Sequence, residues 1–409
     1  MIIYADLHLH SKYSRATSQS MDLENIAFGS KLKGLNLVGT GDFTHPKWFN
    51  ELKGKLKDFE DGLYFYNGLY WMLTCEVSLM YPQDGKFRRV HHILHAPSIE
   101  VVEQINDVLS KYGDLSADGR PAFTTLTSPE LVDLMCSIDK NIFIVPSHVW
   151  TTWYGIFGAF TGFNSVDECF KEKSDQIFAL ETGLSSHPPM NWRVSSLDRF
   201  ALLSNSDSHS PLPSRLGREF NVFDLDKPSY YKIFDAVKSK DKKSFLYTVE
   251  VPPEYGKYHY TGHRNCNVLL HPKEAMKLGN ICPVCGKKLT IGVLQRVEEL
   301  ADREEGYQPN DAIPYKLALP LYDVIAYLRK TNTLYSRKVE EEQLNYIKKA
   351  GNEIRVLVDL QRPALDQVVG VEVASMIEGL RKHHVKFEPG YDGVYGRPIL
   401  DPSRIDTYF

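Results

Sequence analysis

No run of about 18 consecutive apolar residues occurs in the sequence, so no helix long enough to span a bilayer is expected. The N-terminus also lacks a basic segment leading into a short apolar stretch and a cleavage site, the pattern of a secretory signal. A soluble, cytoplasmic protein with no membrane partner is expected. Cysteine is scarce, and six in 409 residues do not make a disulfide framework. Cys75, Cys136 and Cys169 stand alone in apolar surroundings and read as small buried hydrophobes. Charge of neither sign dominates: a formal net of −4 excludes a histone-like basic surface and confines any nucleic-acid contact to local patches.

A hydrophobic content of 43 %, with 12 % aromatics, can bury a sizeable core, and the length implies two or three domains. Residues 2–9 read as a strand that leads into His10. His8 and His10 are two apart, so both imidazoles face one side while Leu7 and Leu9 face the other. A helix over 21–33 and a strand over 35–38 follow, with Asp42 and His45 as possible ligands in the exit loop. Strands over 70–77, 89–95, 142–146, 177–180 and 201–204 then bring Glu76, the histidines at 91, 92 and 95, His148, Glu181, and Asp207 with His209. Helices over 99–112, 129–136 and 166–170 lie between them. Ligand-type residues thus recur at the C-terminal ends of strands in one βα series, where βα barrels keep their chemistry. His8, His10, Glu76, His148, Asp207 and His209 point to a polynuclear metal centre. Neighbours on a strand face opposite ways, so at most one of His91 and His92 points inward.

Asp-Leu-His-Leu-His (6–10) and Asn-Ser-Asp-Ser-His (205–209) resemble the first and last motifs of the PHP (polymerase and histidinol phosphatase) metallohydrolases. The longer phrases HSKYSRATS (10–18), GTGDFTHPKW (39–48), ETGLSSHPPMNWR (181–193) and NSDSHSP (205–211) are similar to one branch of it, the endonuclease Q family, and the similarity covers nearly the whole chain. The resemblance implies an α/β protein with a distorted (βα)7 barrel. It implies metals bound by His8, His10, Glu76, His91, His148, Asp207 and His209, with Glu76 bridging two ions and Glu181 a further candidate. Many PHP members carry an Asp where this chain has Arg15, and a His where it has Phe43, and both serve a third metal. That site is then rebuilt from Asp42, His45 and His209, or is weak, or is replaced by Arg15 binding a phosphate. Lys12, Arg15, Arg215 and Arg218 flank the ligand loops and could hold strand phosphates; Arg215 and Arg218 could equally be ion-paired. The aromatic loop 150–163, with Trp150 and Trp153, reads either as a hydrophobic lid or as a stacking pocket for an extruded base.

Beyond residue 225 the pattern changes. A basic-tipped helix over 230–243 lies in a linker, 226–254, and a new unit starts near 255. His263, Cys266, Cys282 and Cys285 have the spacing of a tetrahedral structural zinc site. His271 competes with His263, which is preferred because its two-residue gap mirrors the second knuckle. Residues 254–299 hold seven Lys or Arg against four Glu, a modest basic patch. Helices over 296–303, 321–329, 338–350 and 363–382 would form a C-terminal helical region (301–400). The tail 401–409 resembles a PIP box, with Ile405, Tyr408 and Phe409 as plug residues for the sliding clamp PCNA. The expected domains are thus 1–225 (catalytic barrel), 226–254, 255–300 (zinc lobe), 301–400 and 401–409. By its resemblance the chain is expected to be a nucleoid-associated, metal-dependent DNA repair endonuclease. It would cut 5′ of deaminated bases (uracil, hypoxanthine, xanthine) and abasic sites by base flipping, with zinc in the lobe and the barrel and Mg or Mn required for activity. Asp207, Glu76 and Arg15 are the expected catalytic residues. A small-molecule phosphoesterase of the histidinol phosphatase type is the alternative.

Overall fold

A computed structural model of the chain describes residues 1–331 and 335–399. Ile405, Tyr408 and Phe409 lie outside the described residues.

Strand β1 (Ile2–Asp6) lies inside a mixed sheet, parallel to β2 (Leu37–Gly39), which is parallel to the long β3 (Leu69–Gln83). Helix α1 (Leu23–Lys33) joins the first two; the Asp22 carboxylate caps its start and Gly34, at φ +103°, turns the chain off its end. This is the expected strand–helix–strand opening. An additional helix, α2 (Pro46–Lys55), follows β2 directly, with Pro46 at its first position.

After β3 the chain departs from a regular βα series. β3 folds back on β4 (Lys86–Ala96) as an antiparallel hairpin from Leu73↔Ala96 to Gln83↔Lys86. Asp84 and Gly85 form its turn, both at positive φ (51° and 73°), which matches the right-handed twist of a two-residue hairpin. Helices α3 (Ile99–Leu109) and α4 (Ser128–Ile138) lead to β5 (Phe143–Pro146), antiparallel to β4. β6 (Ala179–Glu181) and β7 (Ala201–Leu203) pair parallel with one another. Backbone hydrogen bonds join the strand ends: Val149 N–H to the Glu181 carbonyl, Thr182 N–H to that of Leu203, and His10 N–H to that of Ser208. Cys75 and Cys169 are buried as expected, but Cys136 is exposed, because α4 turns Leu131, Val132 and Met135 inward instead.

On the other side of β1, β8 (Phe220–Asp224) pairs antiparallel and leads to β9 (Phe245–Glu250), which takes β10 (Tyr315–Leu317) as its parallel neighbour. Between β8 and β9, α5 (Tyr230–Ser239) stops earlier than 243, where Lys240 turns left-handed. It buries Tyr230, Ile233, Phe234 and Val237 in one cluster with Ile3, Ala5, Phe143 and Phe223. Those four side chains contribute roughly 6 to 12 kcal/mol of gross transfer energy. Residues 226–254 are thus packed on the sheet and hydrogen-bonded into it.

The zinc-motif region holds a short hairpin (Thr261–His263 with Val268–Leu270) over a small core of Val268, Ala275, Cys282 and Leu289. Helices α6 (Val293–Leu300), α7 (Leu321–Leu328) and α8 (Arg337–Ala350) follow. The single helix expected over 363–382 is two, α9 (Arg362–Val369) and α10 (Val371–Arg381), because Gly370 adopts φ 80° and ψ 159°. Lys33 and Glu353, both fully buried, tie α1 to this region with an ion pair of 2.7 Å. Among the described residues no helix is long and apolar enough to cross a membrane.

Candidate metal centre

Three groups of ligand atoms, each within 4.8 Å of one another, are linked through shared residues: His8, His10 and Glu76; His10, Asp207 and His209; Glu76, His91 and His148. His8 and His10 continue the line of β1, and Ser208 bonds to both through its backbone. Glu76, opposite Ile93, and His91, opposite Ser78, are diagonal neighbours on one face of the β3–β4 hairpin. His92, on the opposite face, meets Ser128 Oγ at 2.8 Å and the ring of Phe170. His95 is buried and His187 half-buried, and desolvation pushes both down to about 3.

Glu76 Oε1 lies 3.0 Å from His148 Nε2, 3.1 Å from His91 Nδ1 and 3.6 Å from His8 Nε2. Its Oε2 lies 3.5 Å from His10 Nε2. Asp207 Oδ1 is 3.1 Å from His10 Nε2 and 3.6 Å from His8 Nε2. His8 Nε2 is buried and has no hydrogen-bond partner, although two carboxylate oxygens face it. Two ligands about 2.0–2.2 Å from one ion at tetrahedral angles stand about 3.3–3.6 Å apart, so the 3.5–3.6 Å gaps suit a shared divalent cation, while those of 3.0–3.1 Å are of hydrogen-bond length. The carboxylates and imidazoles act strongly on one another, and against their burial the carboxylates raise His8, His10 and His148. Burial alone would raise Glu76 and Asp207, yet the surrounding imidazoles, and Arg120 at Glu76, hold both well below the usual carboxylate range. Desolvation brings His91 down to about 4, so it presents a neutral imidazole. The donor set therefore fits divalent metal ions.

Asp42 and Glu181 stand outside these groups, against the outer nitrogens of the histidines. Asp42 Oδ1 meets His10 Nδ1 at 3.0 Å, and its Oδ2 accepts from Ser11 N–H, Ser11 Oγ and Ser14 Oγ. Glu181 lies 3.0 Å from His8 Nδ1 and accepts from Asn205 Nδ2 and from His148 N–H. Such carboxylates fix the tautomer that leaves Nε2 free for a cation. His45 is also outside and stacks on Tyr13 at 4.4 Å.

The expected phosphate-binding cations are dispersed. Lys12 pairs with Glu51 at 3.0 Å and Arg215 with Asp323 at 3.5 Å, while Arg218 donates twice to the Ser206 carbonyl. Arg15 is highly exposed, 3.7 Å from Asp118. Trp150 is buried and donates to Asn191 Oδ1, while Trp153 stacks on Phe160 and meets Tyr258 edge-on. Sequence reasoning missed Arg120, whose Nη1 donates to Glu76 Oε2 at 3.0 Å. The preceding Gly119 brings it in: a Cβ there would come within 2.3 Å of Asp42 Oδ2. A cavity of about 340 Å³ opens beside Asp207, walled by Arg120, Trp150, Tyr154, Lys257, Tyr258 and Tyr395.

A separate group brings His263, Cys266, Cys282 and Cys285 together, with His263 Nδ1 3.4 Å from Cys285 Sγ. His271 is elsewhere, accepting from Lys273 N–H as a helix cap. Three sulfurs and one imidazole suit a closed tetrahedral zinc.

No family model matches the chain. It is 33 % identical to the lesion-specific endonuclease PfuEndoQ from Pyrococcus furiosus, over 100 % of this chain and 99 % of that one, with a TM-score of 0.87. It is 34 % identical to an endonuclease Q solved with a 27-mer duplex substrate that has an abasic lesion at the active site, over 99 % and 98 % of the two chains, with a TM-score of 0.88. An uncharacterized protein of Methanocaldococcus jannaschii is 32 % identical over 264 residues, which are 63 % of this chain and 32 % of that protein, so the chain spans about a third of that relative's length.

Proposed function

The chain belongs to the endonuclease Q family, and on that premise we propose that it is a metal-dependent DNA repair endonuclease that hydrolyses the phosphodiester 5′ of deaminated bases and abasic sites. The observation that carries this reading is the linked ligand set around Glu76 and Asp207, beside a cavity walled by aromatic and basic side chains. We read strands β1 to β7 as a distorted (βα)7 barrel, supported by the hydrogen bonds from β5 to β6, β6 to β7 and back to β1 at their C-terminal ends. Residues 1–225 are its catalytic unit, followed by the segment 226–254, a zinc lobe (255–300) and a helical region (301–400).

Divalent ions bound there would activate the attacking water and neutralise charge that grows on the phosphate. The chain's residues do the rest. Asp42 and Glu181 orient His10 and His8, Asp207 aligns the nucleophile, and Arg120 balances Glu76 and faces the cavity. Water attacks phosphorus, the P–O3′ bond breaks, and a proton reaches O3′, leaving 3′-hydroxyl and 5′-phosphate ends. Uracil, hypoxanthine or xanthine would be flipped into the cavity, where rings such as Tyr258 and Tyr395 offer stacking faces. Zinc in the lobe is structural, and Mg or Mn serves activity. A clamp contact through Ile405, Tyr408 and Phe409, and residence on the nucleoid, rest on the sequence alone.

The test is to incubate labelled duplexes carrying uracil, hypoxanthine or an abasic site with protein and Mg or Mn, and to map the cut. Cleavage 5′ of the lesion is expected, abolished in Asp207→Asn with duplex binding within a few fold. Intact damaged duplex alongside hydrolysis of a phosphomonoester would favour the small-molecule phosphoesterase instead.

A further inference from the structure

Four cations near the metal centre are engaged, Lys12 by Glu51, Arg120 by Glu76, Arg215 by Asp323 and Arg218 by the Ser206 carbonyl, while Lys257 rests on the rings of Tyr258 and Tyr395 in the cavity wall. Arg89 differs from the four. Among the described residues its side chain makes no hydrogen bond or ion pair, and its Nε is buried without a partner. The guanidinium is held by rings alone, 6.0 Å from the Tyr154 centroid and 5.6 Å from that of Phe87.

Its place in the strand gives this meaning. Arg89 and His91 are two apart on β4, so they share the face that carries the metal ligands, with their Cα atoms about 7 Å apart. Tyr154 joins them, its ring 4.5 Å from the His91 ring and 6.0 Å from the Arg89 guanidinium. Arg88, on the opposite face, instead donates to the Gly162 carbonyl and covers Phe163. A guanidinium on the ligand-bearing face, two residues along the strand from His91, lies where the strand beside a phosphate at the ligand cluster would pass. A planar guanidinium with free donors suits a phosphodiester, which it can grip with two parallel hydrogen bonds.

We propose that Arg89 holds a backbone phosphate next to the scissile one, so that the strand is fixed at two consecutive positions across Tyr154. This rests on the nuclease reading above. A phosphate seated there replaces water on the idle donors, and Tyr154 keeps the guanidinium flat against the passing strand.

Binding of a lesion duplex to wild type, Arg89→Ala and Arg89→Lys, measured by anisotropy without activating metal and across a salt series, tests the proposal. Arg89→Ala is expected to bind about tenfold more weakly, as for loss of one charge-assisted contact, and to lower the salt slope by about 0.9. Arg89→Lys should keep the slope and lose part of the affinity. Methylphosphonate at one phosphate flanking the cut should weaken wild type by a similar factor and leave Arg89→Ala unaffected. Wild-type affinity and slope in Arg89→Ala, or additive losses at every neutralised phosphate, would overturn it. If Arg89→Ala does not fold, Arg89→Lys and the methylphosphonate scan on wild type decide: no sensitivity at either flanking phosphate overturns the proposal. Wild type that neither binds nor cuts the lesion duplex removes the nuclease reading itself, and this inference with it.

Discussion

Replacing Glu181 with Gln keeps the shape of the side chain and removes one acceptor. The carboxylate is fully buried at the end of β6 and uses both oxygens: Oε1 accepts from Asn205 Nδ2 at 2.9 Å, Oε2 accepts from His148 N–H at 2.8 Å, and both lie 3.0 Å from His8 Nδ1. Whichever way the amide is set, its NH2 meets a donor, either the Asn205 amide or the His148 N–H. One hydrogen bond to a charged group is lost, worth about 1.5–3 kcal/mol, and a buried donor is left unmatched, at about 1–3 kcal/mol. Partial relaxation leaves an expected destabilisation of about 2–4 kcal/mol. His8 keeps only a neutral carbonyl as acceptor for its Nδ1 proton, which fixes the tautomer less firmly and lowers metal affinity about 10-fold, or about 1.4 kcal/mol. Competitive chelator titration reads the affinity, melting curves with and without metal read the stability, and cleavage should recover at raised metal concentration. A Gln variant that holds metal as tightly as wild type would show that Glu181 does not act through His8.

Other consequences can be measured independently. Glu250 is pushed up from 4.5 to about 7, by burial first and by neighbouring Glu181, and Glu219 is also raised, by burial and by Glu250. The folded protein thus keeps protons that the unfolded chain has released, so stability should fall as pH rises from about 5 through 7, by on the order of 3 kcal/mol. Glu250→Gln should flatten that slope in melting curves, and a wild type equally stable at both ends would contradict the assignment. Glu353→Ala strands the Lys33 charge, buried at 1 % exposure, and should cost about 3–5 kcal/mol in urea unfolding; an unchanged midpoint would refute this. Cys285→Ser should lose one equivalent of zinc by elemental analysis without loss of any metal held by the His8, Glu76 and Asp207 groups, and unchanged zinc content would move the ligand elsewhere.

Most ligand-bearing strand ends were legible because each is a local pattern, an apolar run followed by a His, Asp or Glu, but Glu76 and His91 lie within β3 and β4, which run on past them. Alternation along β4 also told that only one of His91 and His92 could face Glu76. What the carboxylates do was not legible. Asp42, Glu76, Glu181 and Asp207 all sit in or just beyond strands, and only long-range hydrogen bonds from Ser11, Ser14 and Asn205 separate the two that meet the outer nitrogens of His10 and His8 from the two inside the linked ligand groups. Arg120 lies in a loop with no strand signal and reaches Glu76 only because Gly119 lets the backbone close on Asp42. The hairpin at Asp84-Gly85 carried a readable turn signal, yet the flanking strands pass for members of a βα series when their pairing is unknown.

Strain and ligand orientation are met by the same groups. Asp42, His148 and Asp207 adopt left-handed backbone, at φ 49°, 30° and 46°. An Asp tolerates this; an imidazole-bearing residue does so at greater cost, on the order of 1–3 kcal/mol. At His148 the conformation is held by its N–H donating to Glu181 and by Thr151, whose N–H and Oγ both donate to the His148 carbonyl at 2.8 Å. Gly183, at φ 73°, leaves the room needed, since a Cβ there would come within 2.7 Å of the His148 Cβ. At Asp207 the preceding carbonyl, that of Ser206, is clamped by two donors of Arg218. Glu181 therefore acts on two ligands at once, through the ring of His8 and the backbone of His148. Its removal should not add independently to substitutions at either histidine. In double-mutant cycles on metal affinity, Glu181→Gln is expected to cost much less once His148 or His8 is already replaced.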